Sequence, residues 1–158
     1  MAIIENDVFQ IHIDENEGCS IRACFVKQGE ALLPLMPDSR DAGCELSESS
    51  FIMAPYSNRI ENGEFNFKGA PYKLERAEEH SIHGDVRQRP WTVLESTSTL
   101  LRCGLKSVDC ESVNWPWDFE IEAVFELFDN CFQSGLRLIN ASDKEMPAGF
   151  GWHPYFSR

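Results

Sequence analysis

Apolar and polar residues alternate along much of this 158-residue chain. In the segment FEIEAVFEL, residues 119–127, five apolar side chains fall on one face and three glutamates fall on the other. A period of two places successive side chains on opposite faces of a β-strand, so this segment predicts a half-buried strand with an acidic outer face. The tripeptide FDN, residues 128–130, predicts a turn into a second strand near residues 132–140.

Further segments show the same alternation. Residues 8–13 and 20–26 flank the polar hexapeptide DENEGC and predict a hairpin near the start of the chain. Residues 64–75 predict a short hairpin that turns at residues 68–71, and residues 99–109 predict another strand.

Helices are not indicated by the sequence. No stretch of ten or more residues repeats its apolar positions with the period of a helix. Eight prolines are spread along the chain, and proline interrupts the hydrogen bonds of a helix interior. Internal repeats and low-complexity linkers are not seen either. We therefore predict a single all-β domain spanning residues 1–158, built as a sandwich or a barrel.

The composition is strongly acidic, with 26 acidic against 14 basic residues and a net charge of -12. Nucleic acids and anionic membranes both favour clusters of lysine and arginine, which this sequence lacks. We expect no nucleic acid and no membrane as a partner, whereas a neutral or cationic small ligand is compatible with this charge.

The six cysteines and the N-terminal residues indicate the cellular compartment of the protein. No CxxC pair is present and no cysteine lies within four residues of a histidine, a spacing unlike that of a structural zinc site. The first residues, MAIIENDVFQ, show neither the basic nor the apolar region of a secretory signal, and no apolar run reaches the length of a membrane span. We expect a cytoplasmic protein with reduced thiols.

Three segments break the alternation and combine polar groups with a restricted backbone. The first is APYSNRIENGEF, residues 54–65, in which Asn58 and Arg59 lie among turn-forming residues. A guanidinium can donate hydrogen bonds to adjacent sugar hydroxyls. The alternative is a surface ion pair of Arg59 with Glu61 or Glu64.

The second segment is EEHSIHGDVRQRPW, residues 78–91. A metal hypothesis would use His80 and His83, but a loop in an all-β chain does not set ligands on one face as a helix does. Its further ligands would come from Glu78, Glu79 and Asp85. In the alternative interpretation, His83 precedes a glycine so that its imidazole lies close to backbone and ligand. Asp85 is then expected to pair with Arg87 or Arg89.

The third segment is GFGWHPYFSR, residues 149–158, in which His153 lies among glycines and aromatic residues. One interpretation is a strand whose aromatic side chains fill the core. The other is an acid–base histidine held against a sugar-sized pocket, because an imidazole with an ordinary pKa near 6.5 exchanges protons at neutral pH. Neither a G-x-S-x-G nucleophile motif nor a phosphate-binding glycine loop occurs.

Together these segments resemble the aldose 1-epimerase (galactose mutarotase) family. The resemblance is carried by PYSNRIENGEFNFKGAPYKL, HSIHGDVRQRPW and MPAGFGWHPYF, in this order along the chain. The same order fits the family's relatives that act on hexose 6-phosphates. The resemblance implies an antiparallel β-sandwich that interconverts the α and β anomers of aldohexoses without a cofactor or a metal. It also implies a base that removes the C1 hydroxyl proton and an acid that protonates the ring oxygen.

Site residues are carried over from the family by position. By this resemblance His153 is the general acid at the ring oxygen, and His83 forms a hydrogen bond near the same atom. Asn58 and Arg59 are expected to bind sugar hydroxyls, and Tyr155 is expected to form part of the pocket wall. No catalytic role falls on the two other histidines; His12 is expected to be an exposed strand residue.

The sequence departs from the family in its second half. Family members are typically about twice as long, and their base glutamate and a sugar-binding aspartate have no match here. Substitute bases could be proposed, without support from any motif, among Glu120, Glu122, Glu126 and Glu145. We therefore expect a half-sandwich truncated at the C-terminus that is incomplete as an enzyme or self-associates through exposed strand edges. The alternatives are a catalytically impaired carbohydrate-binding module and a hexose-6-phosphate epimerase relative.

Overall fold

The protein was analysed as a computed structural model, which describes residues 1–75 and 80–157. The described residues form fourteen β-strands and one short 3₁₀ turn at Ser107–Asp109. The strands are β1 (Ala2–Glu5), β2 (Phe9–Asp14), β3 (Ser20–Gln28), β4 (Ala31–Met36), β5 (Ser50–Met53), β6 (Arg59–Glu61), β7 (Glu64–Phe67), β8 (Ala70–Lys73), β9 (His80–Ile82), β10 (Thr92–Ser96), β11 (Leu100–Lys106), β12 (Phe119–Phe128), β13 (Cys131–Asn140) and β14 (Gly151–Pro154).

Two large sheets make up the sandwich. A six-stranded sheet has the order β1-β2-β3-β5-β14, and β4 also belongs to it because it pairs with the C-terminal part of β3. A four-stranded sheet has the order β10-β11-β12-β13. Two small ribbons, β6 with β9 and β7 with β8, lie outside them. All of these strand pairs are antiparallel. The prediction of an all-β antiparallel sandwich is therefore confirmed.

The core lies between the two large sheets, and β12 shows how the sequence forms it. Its apolar set from Phe119 to Leu127 is buried, with Phe125 fully inaccessible, while its glutamates stay on the outer face. Phe125 meets Trp152 of β14 edge to face, with ring centroids 5.3 Å apart. Ile4 and Ile11, from the first two strands, are fully buried in the same cluster. The alternation therefore predicted the buried face of this strand correctly.

The three predicted hairpins are present. β2 and β3 form the N-terminal hairpin, β7 and β8 form the second, and β12 and β13 form the third. The predicted strand at residues 99–109 ends earlier, because Ser107–Asp109 form the 3₁₀ turn. Within the described ranges, no helix has the length and apolar character needed to cross a membrane.

His12 differs from its expectation as an exposed strand residue. It faces away from the core as predicted, yet it is half-buried. The loop after β4 folds over this face and brings an Arg40 nitrogen to 2.6 Å from Nδ1 of His12, while Nε2 lies 3.0 Å from Gln10. A sequence pattern gives the face of a strand but not the loop that covers it.

Candidate active site

His153 lies on the outer face of the six-stranded sheet. In β14 the preceding residue, Trp152, packs inward against Phe125, so the period of two turns His153 outward. The register pairs His153 with Phe51 of β5. The two rings stack with centroids 4.6 Å apart and planes 12° apart, so Phe51 forms a flat support for the imidazole.

His83 reaches the same place from a different segment. β9 pairs with β6, and beyond the pair the amide of His83 donates a hydrogen bond of 2.8 Å to the carbonyl of Asn58. The imidazole of His83 meets that of His153 in a T-shaped contact, with centroids 5.4 Å apart. It also lies 5.5 Å from the Phe51 ring. Two histidines distant in sequence therefore share one surface.

The loop after β9 is fixed by contact with the end of β5. Gly84 forms a bridge to Ala54, and a Cβ on Gly84 would lie only 1.8 Å from the carbonyl oxygen of Ala54. The amide of Asp85 donates to that same carbonyl at 2.8 Å. His83 itself adopts a φ of 60°, a left-handed conformation that costs about 1–2 kcal/mol for a residue with a side chain. Backbone contacts on both sides of His83 hold it in this position.

Arg87 and Glu48 complete the surface around Phe51. The guanidinium carbon of Arg87 lies 3.8 Å from the Phe51 ring centroid. Its Nη2 donates to Oε2 of Glu48 at 2.5 Å, and its Nε donates to Oε1 at 3.3 Å. Burial alone raises the pKa of Glu48, but hydrogen bonds from Arg87 and Ser47 hold that pKa below its ordinary value. Glu48 is therefore ionised at neutral pH and orients the guanidinium.

His83 is neutral at pH 7. Its pKa is lowered from 6.5, first by burial and then by the positive charges of His153, Arg87 and Arg59. Its Nδ1 is buried and makes no hydrogen bond to any described residue. A cavity of about 400 Å³ lies beside the ring; the residues that line it include His83, Gly84, Asp85, Arg87, Gln88 and Arg89.

The predicted binding residues differ in how close they lie to His83 and His153. The Tyr155 ring is 4.9 Å from His153, and the Tyr155 amide donates to the Ser49 carbonyl at 2.9 Å. Asn58 is joined to His83 through the backbone and is exposed, as is Arg59. The structure therefore places the Tyr155 ring against His153, and His153 against His83, whereas Asn58 and Arg59 lie at the exposed margin.

The surface ion pairs considered for Arg59 are not formed with the described glutamates. Glu64 instead pairs with Lys73 at 2.7 Å. In the loop after β9, Arg89 pairs with Asp85 at 2.6 Å, so Arg89 is the partner of that aspartate among the two that were expected. Arg87 pairs with Glu48 instead.

The sequence model of the aldose 1-epimerase family matches residues 5–158. The chain belongs to the aldose 1-epimerase family. It is 25% identical over 126 residues to the uncharacterised protein YphB of Escherichia coli K12, a match that covers 78% of this chain and 42% of YphB. The expected family fold is confirmed by solved structures as well.

Two of these structures illustrate the extent of the match. A galactose mutarotase-like protein from Lactobacillus casei superposes with a TM-score of 0.81 at 18% identity, covering 99% of this chain and 49% of that protein. A galactose mutarotase related enzyme from Lactobacillus acidophilus gives a TM-score of 0.78 at 24% identity, covering 97% and 47%. The chain thus spans about half the length of these epimerase-family structures.

The glutamates considered as substitute bases lie away from the histidines. Glu120 and Glu122 are on the outer face of the four-stranded sheet, where they pair with Lys106 and Arg102. Glu126 shares that face, and Glu145 pairs with Lys68 beside the β7–β8 turn. Among the described residues, no hydrogen bond or ion pair joins a carboxylate to His83 or His153.

The metal hypothesis falls partly outside the described residues, which do not include Glu78, Glu79 or the side chain of His80. Within residues 1–75 and 80–157, no group of three or more histidine, cysteine, aspartate or glutamate side chains is arranged to hold a metal ion. All six cysteines are free thiols.

Sequence reasoning missed Phe51 and Glu48 and gave Arg87 another partner. In the sequence SFIM, residues 50–53, Phe51 has the pattern of an ordinary core residue, and it is only 2% exposed. It is covered not by the opposite sheet but by the rings and the guanidinium of the site itself. No local pattern connects Glu48 with Arg87, because their contact depends on how the loop after β9 returns to β5.

Proposed function

We propose that this chain acts as an aldose 1-epimerase, interconverting the α and β anomers of an aldohexose by acid–base opening and closure of the sugar ring. The observation that carries the proposal is the contact between His83 and His153 on one surface. Family membership supports the reaction class, and the surface supplies groups of the right chemistry.

His153 is the proposed general acid at the ring oxygen. Ring opening needs a proton delivered to that oxygen while another proton leaves the C1 hydroxyl. Stacking on Phe51 limits the rotation of the imidazole, so its proton is presented in a fixed direction. His83, neutral because of its lowered pKa, can form a hydrogen bond with the same oxygen without repelling a protonated His153.

Asn58, Arg59 and Tyr155 are the proposed sugar-binding residues. The exposed amide and guanidinium offer donors in geometries that suit neighbouring hydroxyl groups. The ring of Tyr155, beside His153, suits the apolar face of a pyranose ring. A neutral aldohexose is therefore the proposed substrate. The guanidinium groups of Arg59 and Arg87 also suit the phosphate group of a phosphorylated hexose.

The second candidate function is sugar binding without turnover. It is favoured by the position of the carboxylates, because among the described residues none forms a hydrogen bond or an ion pair with either histidine. A chain that binds the sugar and supplies an acid but no base would accelerate mutarotation little.

Polarimetry on freshly dissolved α-D-glucose and α-D-galactose tests the proposal. We expect the chain to speed the optical relaxation, and we expect His153→Ala to slow the catalysed rate by at least about 100-fold. The matched control is His12→Ala, which removes a half-buried histidine from the same face of the sheet and should leave the rate unchanged.

Three outcomes are informative. If the wild-type rate equals that of buffer while sugar titration shifts the NMR signals of His83, the second candidate function is correct. If the rate equals that of buffer and no signal shifts, both candidates are wrong. If His153→Ala retains activity within about threefold, His153 is not the general acid.

A further inference from the structure

The imidazole of His153 is held in place by neighbouring rings. It contacts Phe51, His83 and Tyr155, with centroid distances of 4.6, 5.4 and 4.9 Å. Within residues 1–75 and 80–157, no group forms a hydrogen bond with this imidazole. A histidine that transfers protons is commonly oriented by a hydrogen bond to its second ring nitrogen. Here the orientation depends on packing instead, above all on the near-parallel stack with Phe51.

Phe51 lies between this imidazole and a guanidinium. The planes of the Phe51 and His153 rings are 12° apart, and the guanidinium carbon of Arg87 lies 3.8 Å from the Phe51 centroid. Two groups at these distances would overlap on one face of the ring, so Arg87 occupies the face opposite His153. The three side chains form one stack, in the order His153, Phe51, Arg87. This stack explains why Phe51 is only 2% exposed on the outer face of a sheet.

Glu48 fixes the guanidinium at the far end of the stack. Nε and Nη2 of Arg87 donate to the two carboxylate oxygens at 3.3 and 2.5 Å. The Ser47 hydroxyl donates to Oε2 of Glu48 and accepts from Nη2 of Arg87 at 3.1 Å. The Glu48 side chain is only 6% exposed. Because a buried carboxylate is strongly destabilising without its partner, Glu48 keeps the guanidinium in one place.

Backbone contacts fix both members of this ion pair. Directly after Glu48, the amide of Ser49 donates to the Ile21 carbonyl at 2.8 Å, and the Ser49 hydroxyl donates to the next carbonyl of β3 at 2.7 Å. On the other side, a Cβ on Gly18 would lie 2.0 Å from the carbonyl oxygen of Arg87. Both partners are therefore tied to the hairpin of β2 and β3.

We propose that Glu48 is a positioning residue for His153 and acts through Arg87 and Phe51. The buried carboxylate holds the guanidinium against one face of Phe51, so that the ring cannot tilt away. Its other face then keeps the imidazole of His153 in one orientation. This inference rests on the proposed function, in which His153 delivers a proton to the ring oxygen of the sugar. A donor held in one direction spends less entropy on reaching the transition state.

NMR spectroscopy tests the positioning without any need for catalysis. The ring current of Phe51 shifts the imidazole C–H signals of His153 upfield while the two rings are stacked. We expect Glu48→Gln to move these signals downfield, toward their values in the unfolded chain, because the guanidinium loses its charged partner. The control is Glu64→Gln, which removes the carboxylate of an exposed ion pair with Lys73 and should leave the signals unchanged.

A double-mutant cycle tests whether Glu48 acts through Arg87. We expect Arg87→Gln alone to shift the His153 signals in the same direction, and we expect Glu48→Gln to add nothing in that background. The double variant leaves no unpaired buried charge, so it folds more readily than Glu48→Gln. If Glu48→Gln does not fold alone, the comparison of Arg87→Gln with the wild type and with the double variant decides.

Polarimetry adds a kinetic readout in an active chain. We expect Glu48→Gln to lower kcat by about tenfold and to change KM by less than about twofold, because the orientation of the acid matters in the transition state more than in sugar binding. Glu64→Gln should leave both constants unchanged.

The two readouts separate the positioning role from the proposed function. His153 signals that stay in place in Glu48→Gln, or that shift by as much again in the Arg87→Gln background, would overturn the positioning role whatever the activity. Signals that move as expected in a chain without epimerase activity support the positioning of His153 and contradict only the proposed function. An active chain whose kcat is unchanged by Glu48→Gln would also overturn the proposal.

Discussion

Gly84 stands between His83 and the end of β5, and its missing side chain lets the two backbones touch. We expect Gly84→Ala to lower the free energy of unfolding by about 3 kcal/mol, because a Cβ would strike the Ala54 carbonyl at 1.8 Å in addition to the strain of a φ of 77°. Gly69→Ala is the control, since Gly69 has a φ of 81° with nothing within 4 Å. It should cost about 1 kcal/mol. Urea unfolding measures both; equal losses would contradict the role of the close contact.

The protonation of His83 gives a second prediction at the residue scale. Because Arg87 is one of the positive charges that lower its pKa, Arg87→Gln should raise the pKa of His83 toward 6.5. Arg102→Gln, on the outer face of the other sheet, is the control and should leave it unchanged. An NMR titration of the imidazole C–H signals measures both. An unchanged pKa in Arg87→Gln would mean that Arg87 does not contribute, and that burial and the other positive charges lower the pKa of His83.

This lowered pKa also fixes the sign of a pH effect on stability. The unfolded chain binds a proton at His83 near pH 6.5, whereas the folded chain binds it only at lower pH. The contribution of His83 to stability is therefore present at neutral pH and is lost as the pH falls below 6.5.

At the scale of elements, β12 offers a matched pair of phenylalanines. Phe125 is fully buried between the sheets, whereas Phe128, at the end of the same strand, is 45% exposed. We expect Phe125→Ala to lower the free energy of unfolding by about 3–5 kcal/mol and Phe128→Ala by less than about 1 kcal/mol. Urea unfolding of the two variants measures the difference. Similar losses would mean that the face of β12 turned toward the core had been misassigned.

Strands with alternating sequences were predictable, and the segments between them were less so. The period of two in residues 119–127 identified both the strand and its buried face, because one side of that strand meets a sheet and the other meets solvent. The end of β11 and the burial of His12 were not predicted. Each depends on a turn or loop that folds back, and such contacts leave no periodic signal.

At the scale of the whole molecule, the two sheets enclose a core along most strands but leave the inner face of β13 half-covered. The chain matches about half the length of the solved structures of its family. The histidine surface lies on the outer face of the other sheet.

The sequence by itself determined the all-β class, the faces of the alternating strands and the three segments that resemble the epimerase family. These follow from local periodicity and from motifs contained in short stretches. Only the tertiary structure decided that Phe51 supports His153 and that Glu48 orients Arg87. It also decided that the acidic face of β12 lies away from the histidines. Those relations are set by strand register and by the packing of residues distant in sequence, which no local pattern records.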